Sequence, residues 1–346
     1  MDLDLPTLKL DYKLFLDRSI TLYGASGTGK SAIIIDILKQ LKGHANQILV
    51  FSPTDPSNKT YSSGVVPTPL IHYEFDIELI ERIWQRQEMM ATAHVRANNF
   101  TIIETLFNKL RLTTMNGVMN RIRASKMEHI NEIRDTYFDE KARKTKIAAI
   151  EEKYQELIVA IYKKTITDNK HLLPDNTLTP EERFVKRWMN LNPRLVLIFD
   201  DCASELKKFE KHPTVRKLFY QARHNKITLI IACQDDKDIE SSLRKNSFIS
   251  VFTTDACANA FFTRKANDFP KTIQKRVDLY CSAMRWDEPY FEKMVYVRRE
   301  NKVYKFVAEI HEDFQFCSSS VRDYCRSIER SGTTMDKTNP FYGDFA

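Results

Sequence analysis

Apolar and polar positions alternate between two regimes along the chain. Mainly apolar runs of strand length occur at 19–23, 195–199, 227–233 and 248–252, and such runs predict strands buried on both faces of a mainly parallel sheet. Residues 32–42 instead space Ile33, Ile34, Ile37, Leu38 and Leu41 at helical intervals, with Gly43 placed to end the helix. From 75 to 170 the chain holds one glycine, Gly117, and no proline, and is rich in Glu, Lys, Arg, Ile and Met. That composition predicts several helices, inserted over about residues 75–185. Within it, Ile147, Ile150, Tyr154, Leu157 and Ile161 recur at spacings of three and four, a short seam for a helical hairpin or a partner helix. Apolar alternation on both sides of a polar turn predicts a β-hairpin over 294–307, and the polar, turn-rich stretch 331–346 reads as a mobile tail.

The link between the first strand and the first helix carries the chemistry. Residues 24–31 read Gly-Ala-Ser-Gly-Thr-Gly-Lys-Ser, and three of the eight glycines of the chain (Gly24, Gly27, Gly29) fall inside them. Between a strand and a helix this is a P-loop. Glycines let the backbone curl so that the amides of Ala25, Ser26, Gly27, Thr28 and Gly29 point at phosphate oxygens at a helix N-terminus. Lys30 then reaches the β- and γ-phosphates of ATP as a point charge, and the Ser31 hydroxyl is a ligand for Mg²⁺. The run 195–199 ends in the adjacent carboxylates Asp200 and Asp201. Ligands of parallel sheets bind at the carboxyl ends of strands, so Asp200 is read as the Mg²⁺ acid and Asp201 as the group that orients or deprotonates an attacking water. Strand 227–233 ends in Gln234, a neutral amide able to bond a γ-phosphate or that water. Arg223 and Arg244 are the candidates for an arginine finger acting in a neighbouring subunit.

Taken together, the 24–31 loop, Ser52-Pro-Thr54 with Asn58 and Tyr61, Phe199-Asp-Asp201, Arg223-His224, Gln234 and Leu243-Arg-Lys-Asn246 resemble the poxvirus-type genome-packaging ATPases of nucleocytoplasmic large DNA viruses, in the FtsK/HerA group of P-loop motors. The resemblance covers about residues 15–62 and 190–260. It implies a P-loop NTPase domain over 1–330 with a helical insertion, and an ATPase that drives double-stranded DNA into a preformed capsid as a ring of identical subunits. It implies as partners DNA without sequence preference and capsid or portal-vertex proteins, in the host cytoplasm at viral assembly sites or on the virion. Bacterial relatives usually place Glu where Asp201 stands, so a shorter acid must reach its water here.

Charge and cysteine usage change this picture little. A formal net charge of +7, with a basic cluster at 141–146, suits a protein that grips nucleic-acid backbone, and no base-reading motif is present. The longest apolar runs are strand-sized and the start of the chain is acidic, so neither a membrane span nor a secretory signal is expected. Cys202, Cys233, Cys257, Cys281, Cys317 and Cys325 show no metal-ligand spacing and read as free thiols, with Cys202 and Cys233 as buried fillers. A nucleotide or nucleoside kinase with the helical insertion as lid, and a nucleotide-binding capsid- or DNA-associated structural protein without turnover, remain as alternatives. A GTPase is disfavoured, since neither a DxxG after the acid strand nor an NKxD motif occurs.

Overall fold

A computed structural model describes residues 5–331. The tail expected from Ser331 onward lies, beyond that residue, outside the described residues. The chain divides into two compact units, one made of residues up to Ala91 and from Asn192 onward, the other of Thr92–Leu191.

The first unit is an α/β layer structure of the P-loop NTPase type. Its strands are β1 (Ser19–Tyr23), β2 (Gln47–Phe51), β3 (Ile71–His72), β4 (Leu195–Asp200), β5 (Ile227–Cys233), β6 (Ile249–Phe252), β7 (Lys293–Val297) and β8 (Lys302–Phe306). They form one eight-stranded sheet in the order β3-β2-β4-β5-β1-β6-β7-β8. The six strands from β3 to β6 are parallel, and β7 and β8 add an antiparallel hairpin at one edge. Every residue of β4 and β5 is buried, which is why both read in the sequence as continuous apolar runs instead of alternating ones. β5 lies between β1 and β4, pairing Tyr23 with Cys233 on one side and Asp200 with Ala232 on the other. The carboxyl ends of the three strands therefore sit side by side, and whatever follows them shares one edge.

Helix Lys30–Leu41 buries Ile33, Ile34, Ile37, Leu38 and Leu41 against the sheet, the stripe its 3-4 spacing predicts. The chain leaves it through Gly43 at φ +86°, a left-handed turn that a side chain would strain. The same helix carries a buried acid, Asp36. Its oxygens accept from the Glu309 backbone N–H at 3.0 Å and from His311 Nε2 at 2.9 Å, and Lys39 Nζ stands 3.0 Å from His311 Nδ1. The segment that follows β8 is thereby pinned to the helix that follows the P-loop.

The second unit is helical, with Phe100–Lys109, Thr113–Thr136, Glu140–Asp168 and Pro180–Trp188 as its main elements and Ile103, Leu106, Tyr162, Ile166 and Val185 in its own core. Thr179 and Glu182 close a capping box on the last helix, and Glu182 also pairs with Lys109 at 2.7 Å. The two long helices form a hairpin in which Tyr154 Oη meets Ser125 at 2.8 Å and His129 at 2.6 Å. The seam read in the sequence holds in part: Tyr154 is buried, Ile147, Ile150 and Ile161 are half-buried, and Leu157 is exposed. Toward the end of Glu140–Asp168 the buried positions are Tyr162, Thr165 and Ile166, where the Phe107 ring stacks on Tyr162 at 4.1 Å.

Removing the Asp36 carboxylate strands a buried histidine and a buried N–H. Asp36→Ala is expected to lower unfolding stability by about 3 kcal/mol, read by chemical denaturation, whereas Lys39→Ala at the exposed end of the same cluster changes it by less than about 1 kcal/mol.

Candidate functional site

The P-loop follows β1 without a spacer, and its glycines have separate geometric duties. Gly24 has its amide on the Cys233 carbonyl at 3.1 Å, tying the loop to the end of β5. A Cβ on Gly24 would lie 1.6 Å from Thr253 Oγ1, so the close approach of the residue after β6 demands glycine. Gly27 and Gly29 take φ of +79° and +94°. Thr28 Oγ1 donates to the Ala25 carbonyl at 2.8 Å and lies 2.6 Å from Thr253 Oγ1, which braces the loop from within and from β6. Lys30 is buried, and its ammonium donates to the carbonyls of Gly24 at 2.6 Å and Ala25 at 3.0 Å. Its charge is folded onto the loop that would hold a phosphate. Ser26 is exposed at the tip, and Ser31 is half-buried on the first turn of the helix.

The acid pair lies across β5 from the loop. Asp200 is the last residue of β4 and buried, while Asp201 turns out of the strand at φ +55°. Asp200 Oδ2 accepts from Tyr61 Oη at 3.0 Å, and Asp201 Oδ2 accepts from Thr54 Oγ1 at 3.1 Å. A third carboxylate joins them. Asp55 is fully buried, its Oδ1 accepts from the Tyr61 backbone N–H at 2.7 Å, and its Oδ2 has no partner among the described residues. Burial first, and Asp201 second, push the Asp200 carboxyl up to about 6, while the Tyr61 hydrogen bond and the Lys30 charge pull it down. Burial and the neighbouring carboxylates likewise raise the Tyr61 phenol well above its ordinary value.

Crowded carboxylates and an orphaned buried oxygen are a donor set suited to a hard divalent cation. Asp200 keeps the chemistry expected of the Mg²⁺ acid, and Asp55, which shares Tyr61 with it, is an unforeseen acid beside it. Its signal was the acid following Ser52-Pro-Thr54, but nothing local marks it as buried against Asp200.

Gln234 follows β5 directly and is exposed, so the strand order sets it between the P-loop and the acid pair. The turn after it is held by Asp236, whose buried carboxylate takes Arg244 at 2.6 Å, Arg264 at 2.6 Å and Asn267 at 3.2 Å. Arg244 is thus buried and committed to its own chain, a placement at odds with a surface finger role. Arg223 is exposed near the start of β5, at the sheet edge opposite the P-loop, with Nε 3.3 Å from His224 Nε2. Within one chain it does not join Lys30. Cys202 and Cys233 are buried, as expected, and burial raises both thiols.

No protein-family model matches the chain. Proteins called uncharacterized protein B354L, from African swine fever virus isolates of Kenya and Malawi, are 33% identical over 360 residues, spanning 99% of this chain and 96% of theirs. The chain belongs to this B354L family. Solved structures similar to it include the genome packaging NTPase B204 of Sulfolobus turreted icosahedral virus 2 in complex with AMPPCP, at 13% identity and TM-score 0.39, covering 85% of this chain and 98% of that one. The pCW3 conjugation coupling protein TcpA with ATPγS matches at 13% identity and TM-score 0.39, covering 96% and 75%. Among the described residues, no helix is long and apolar enough to cross a membrane.

This B354L-family chain also places Lys293, the first residue of β7, beside the loop. Lys293 is buried, its Cε lies 3.9 Å from where a Cβ on Gly29 would stand, and its Nζ reaches the Thr253 carbonyl at 3.2 Å and that of Trp286 at 3.4 Å. Desolvation lowers its pKa. Nothing local in the sequence marks it, because the contact depends on the hairpin folding back against β6.

Gly24→Ala is expected to weaken nucleotide binding by at least about tenfold, measured by calorimetry with ATPγS, since either the loop or Thr253 must move. Because the Asp200 carboxyl ionises near 6, Mg²⁺ affinity falls as pH drops through that value. Tyr61→Phe removes a bond to the charged form and moves the midpoint upward. In the metal-free protein the same shift gives Asp200 a destabilising contribution that is absent below about pH 4, grows to about 3 kcal/mol as pH rises to 6, and is constant above.

Proposed function

We propose that this chain is an ATPase that translocates double-stranded DNA without sequence preference and packages a viral genome into a preformed capsid as a homo-oligomeric ring. The observation that carries the ATPase is the strand order. With β5 between β1 and β4, Lys30 and Ser31, Gln234, and the Asp200–Asp201 pair emerge from neighbouring strand ends onto one edge. In this reading the amides of the loop and Lys30 hold the β- and γ-phosphates, displacing the ammonium from the Gly24 and Ala25 carbonyls. Ser31 and Asp200 would hold Mg²⁺, which would neutralise phosphate charge when bound. Asp201, steadied by Thr54, orients the attacking water and accepts its proton, and Gln234 bonds the γ-phosphate or that water.

The DNA partner is supported by the net charge of +7 and by the sequence resemblance to packaging motors. The viral setting is supported by the African swine fever virus relatives. Capsid or portal-vertex contacts at assembly sites in the host cytoplasm complete the proposal. A kinase finds less support, since transfer to a small acceptor gives no role to Gln234 between paired acids and P-loop.

The test is steady-state ATP hydrolysis with and without long double-stranded DNA, with Lys30→Ala as blank. Stimulation by DNA is expected, and turnover indifferent to DNA rejects the motor. Asp201→Ala is expected to cut turnover by about a hundredfold or more with nucleotide binding kept. Arg223→Ala subunits that retain Lys30 are expected to poison wild-type subunits when mixed, and a purely additive loss rejects action in trans.

A further inference from the structure

At the sheet edge opposite the P-loop, where β1, β5 and β6 begin and β7 ends, lies a cavity of about 400 Å³. Five cationic residues line it: Arg18, Arg223, Lys245, Arg298 and Arg299. One carboxylate is present, Asp17, and it is already engaged by Arg194 at 3.3 Å and Lys226 at 3.9 Å. None of the five forms an ion pair with a described residue. The Nε of Arg18 is buried without a partner, and its guanidinium lies over the Phe248 ring at 4.6 Å. Arg298 spends its Nε on the Ser247 carbonyl at 3.2 Å and leaves its other donors free for the cavity. Tyr220 shows an exposed ring at the same rim. Roughly 15 Å of strand separates this edge from the P-loop, so the cavity belongs to a different site.

Converging like charges without counter-charges oppose folding, and three elements of the sheet and one helix end bring them together here all the same. An anion in the cavity removes that opposition. Arginine forks match phosphate oxygens better than they match a single carboxylate, and aromatic faces beside them suit a base. The volume is that of a small-ligand pocket. We propose that this cavity is a second phosphate-binding site, taking a nucleotide phosphate with its base against Tyr220 or Phe248. The phosphate comes from a nucleic-acid backbone or from a free nucleotide. The first source would deepen the DNA-translocase reading by naming where the partner is gripped; the second stands apart from it.

The test is made on the full chain carrying Lys30→Ala, so that the P-loop does not contribute. Lys245→Glu with Arg299→Glu reverses two exposed charges at the cavity, and Lys271→Glu with Lys275→Glu makes the same change in net charge on the exposed face of helix Lys271–Ala283. Arg223 is left unaltered, which keeps the mixing experiment above independent. Binding of a labelled duplex of about 30 base pairs is read by fluorescence anisotropy, and binding of labelled ATP by equilibrium dialysis. A loss of about tenfold or more in duplex affinity, with the control pair within about twofold of the parent, assigns the cavity to a nucleic-acid backbone. The same pattern with ATP assigns it to a free nucleotide. If the cavity pair and the control pair behave alike in both arms, the site is overturned. Since each arm reads binding and not turnover, a failed ATPase assay leaves it interpretable.

Discussion

The burial of β4 and β5 on both faces is the constraint from which the rest follows. A strand with no solvent face cannot carry a charge along its length, so polar chemistry is expelled to the strand ends. Parallel pairing then sorts those ends, since β1, β4, β5 and β6 all run the same way. One edge collects what comes after the strands, namely the P-loop, Asp200, Asp201, Gln234 and Thr253. The other collects what comes before them, including Arg18, Arg223 and Lys245. The two edges acquire opposite characters, one with clustered acids around a buried lysine and the other with arginines short of acids.

Within the acid edge, competing forces are held close to balance. Asp55, Asp200 and Asp201 repel one another, and burial makes ionisation of Asp200 harder still. Tyr61 and Thr54 supply one hydrogen bond each, enough to fix the orientation of two carboxylates without neutralising them. Lys30 is near enough to lower the Asp200 pKa, yet its own bonds go to backbone carbonyls. The arrangement keeps its negative and positive members apart, which leaves both available to a ligand that carries phosphate and metal together.

What could be read in the sequence was whatever depends on neighbours in the chain. β1, the loop and helix Lys30–Leu41 form one continuous segment with a local rule at each step, and the runs that became β4 and β5 are legible because total burial favours apolar residues at nearly every position. The C-terminal hairpin was legible for the same kind of reason. Asp55, Arg244 and Lys293 were not, because each takes its character from packing that the local pattern does not announce: Asp55 from Asp200, Lys293 from Gly29 and Thr253. Arg244 looked like a surface arginine until Asp236 and a buried turn claimed it. The helical seam was legible in part, since Tyr154 is buried in the hairpin while Leu157 is exposed, and around Phe107 the buried stripe shifts to Tyr162 and Ile166.

The bonds from Asp36 to His311 and to the Glu309 backbone give the helix behind the P-loop a second attachment, to the strand hairpin at the far edge of the sheet. The first turn of that helix holds Lys30 and Ser31, its middle holds Asp36, and the β7–β8 hairpin returns to the loop through Lys293. Loop, helix and hairpin therefore close a mechanical circuit around the phosphate cradle. The loop and the outer hairpin thus share two separate sets of contacts, one through Asp36 and one through Lys293.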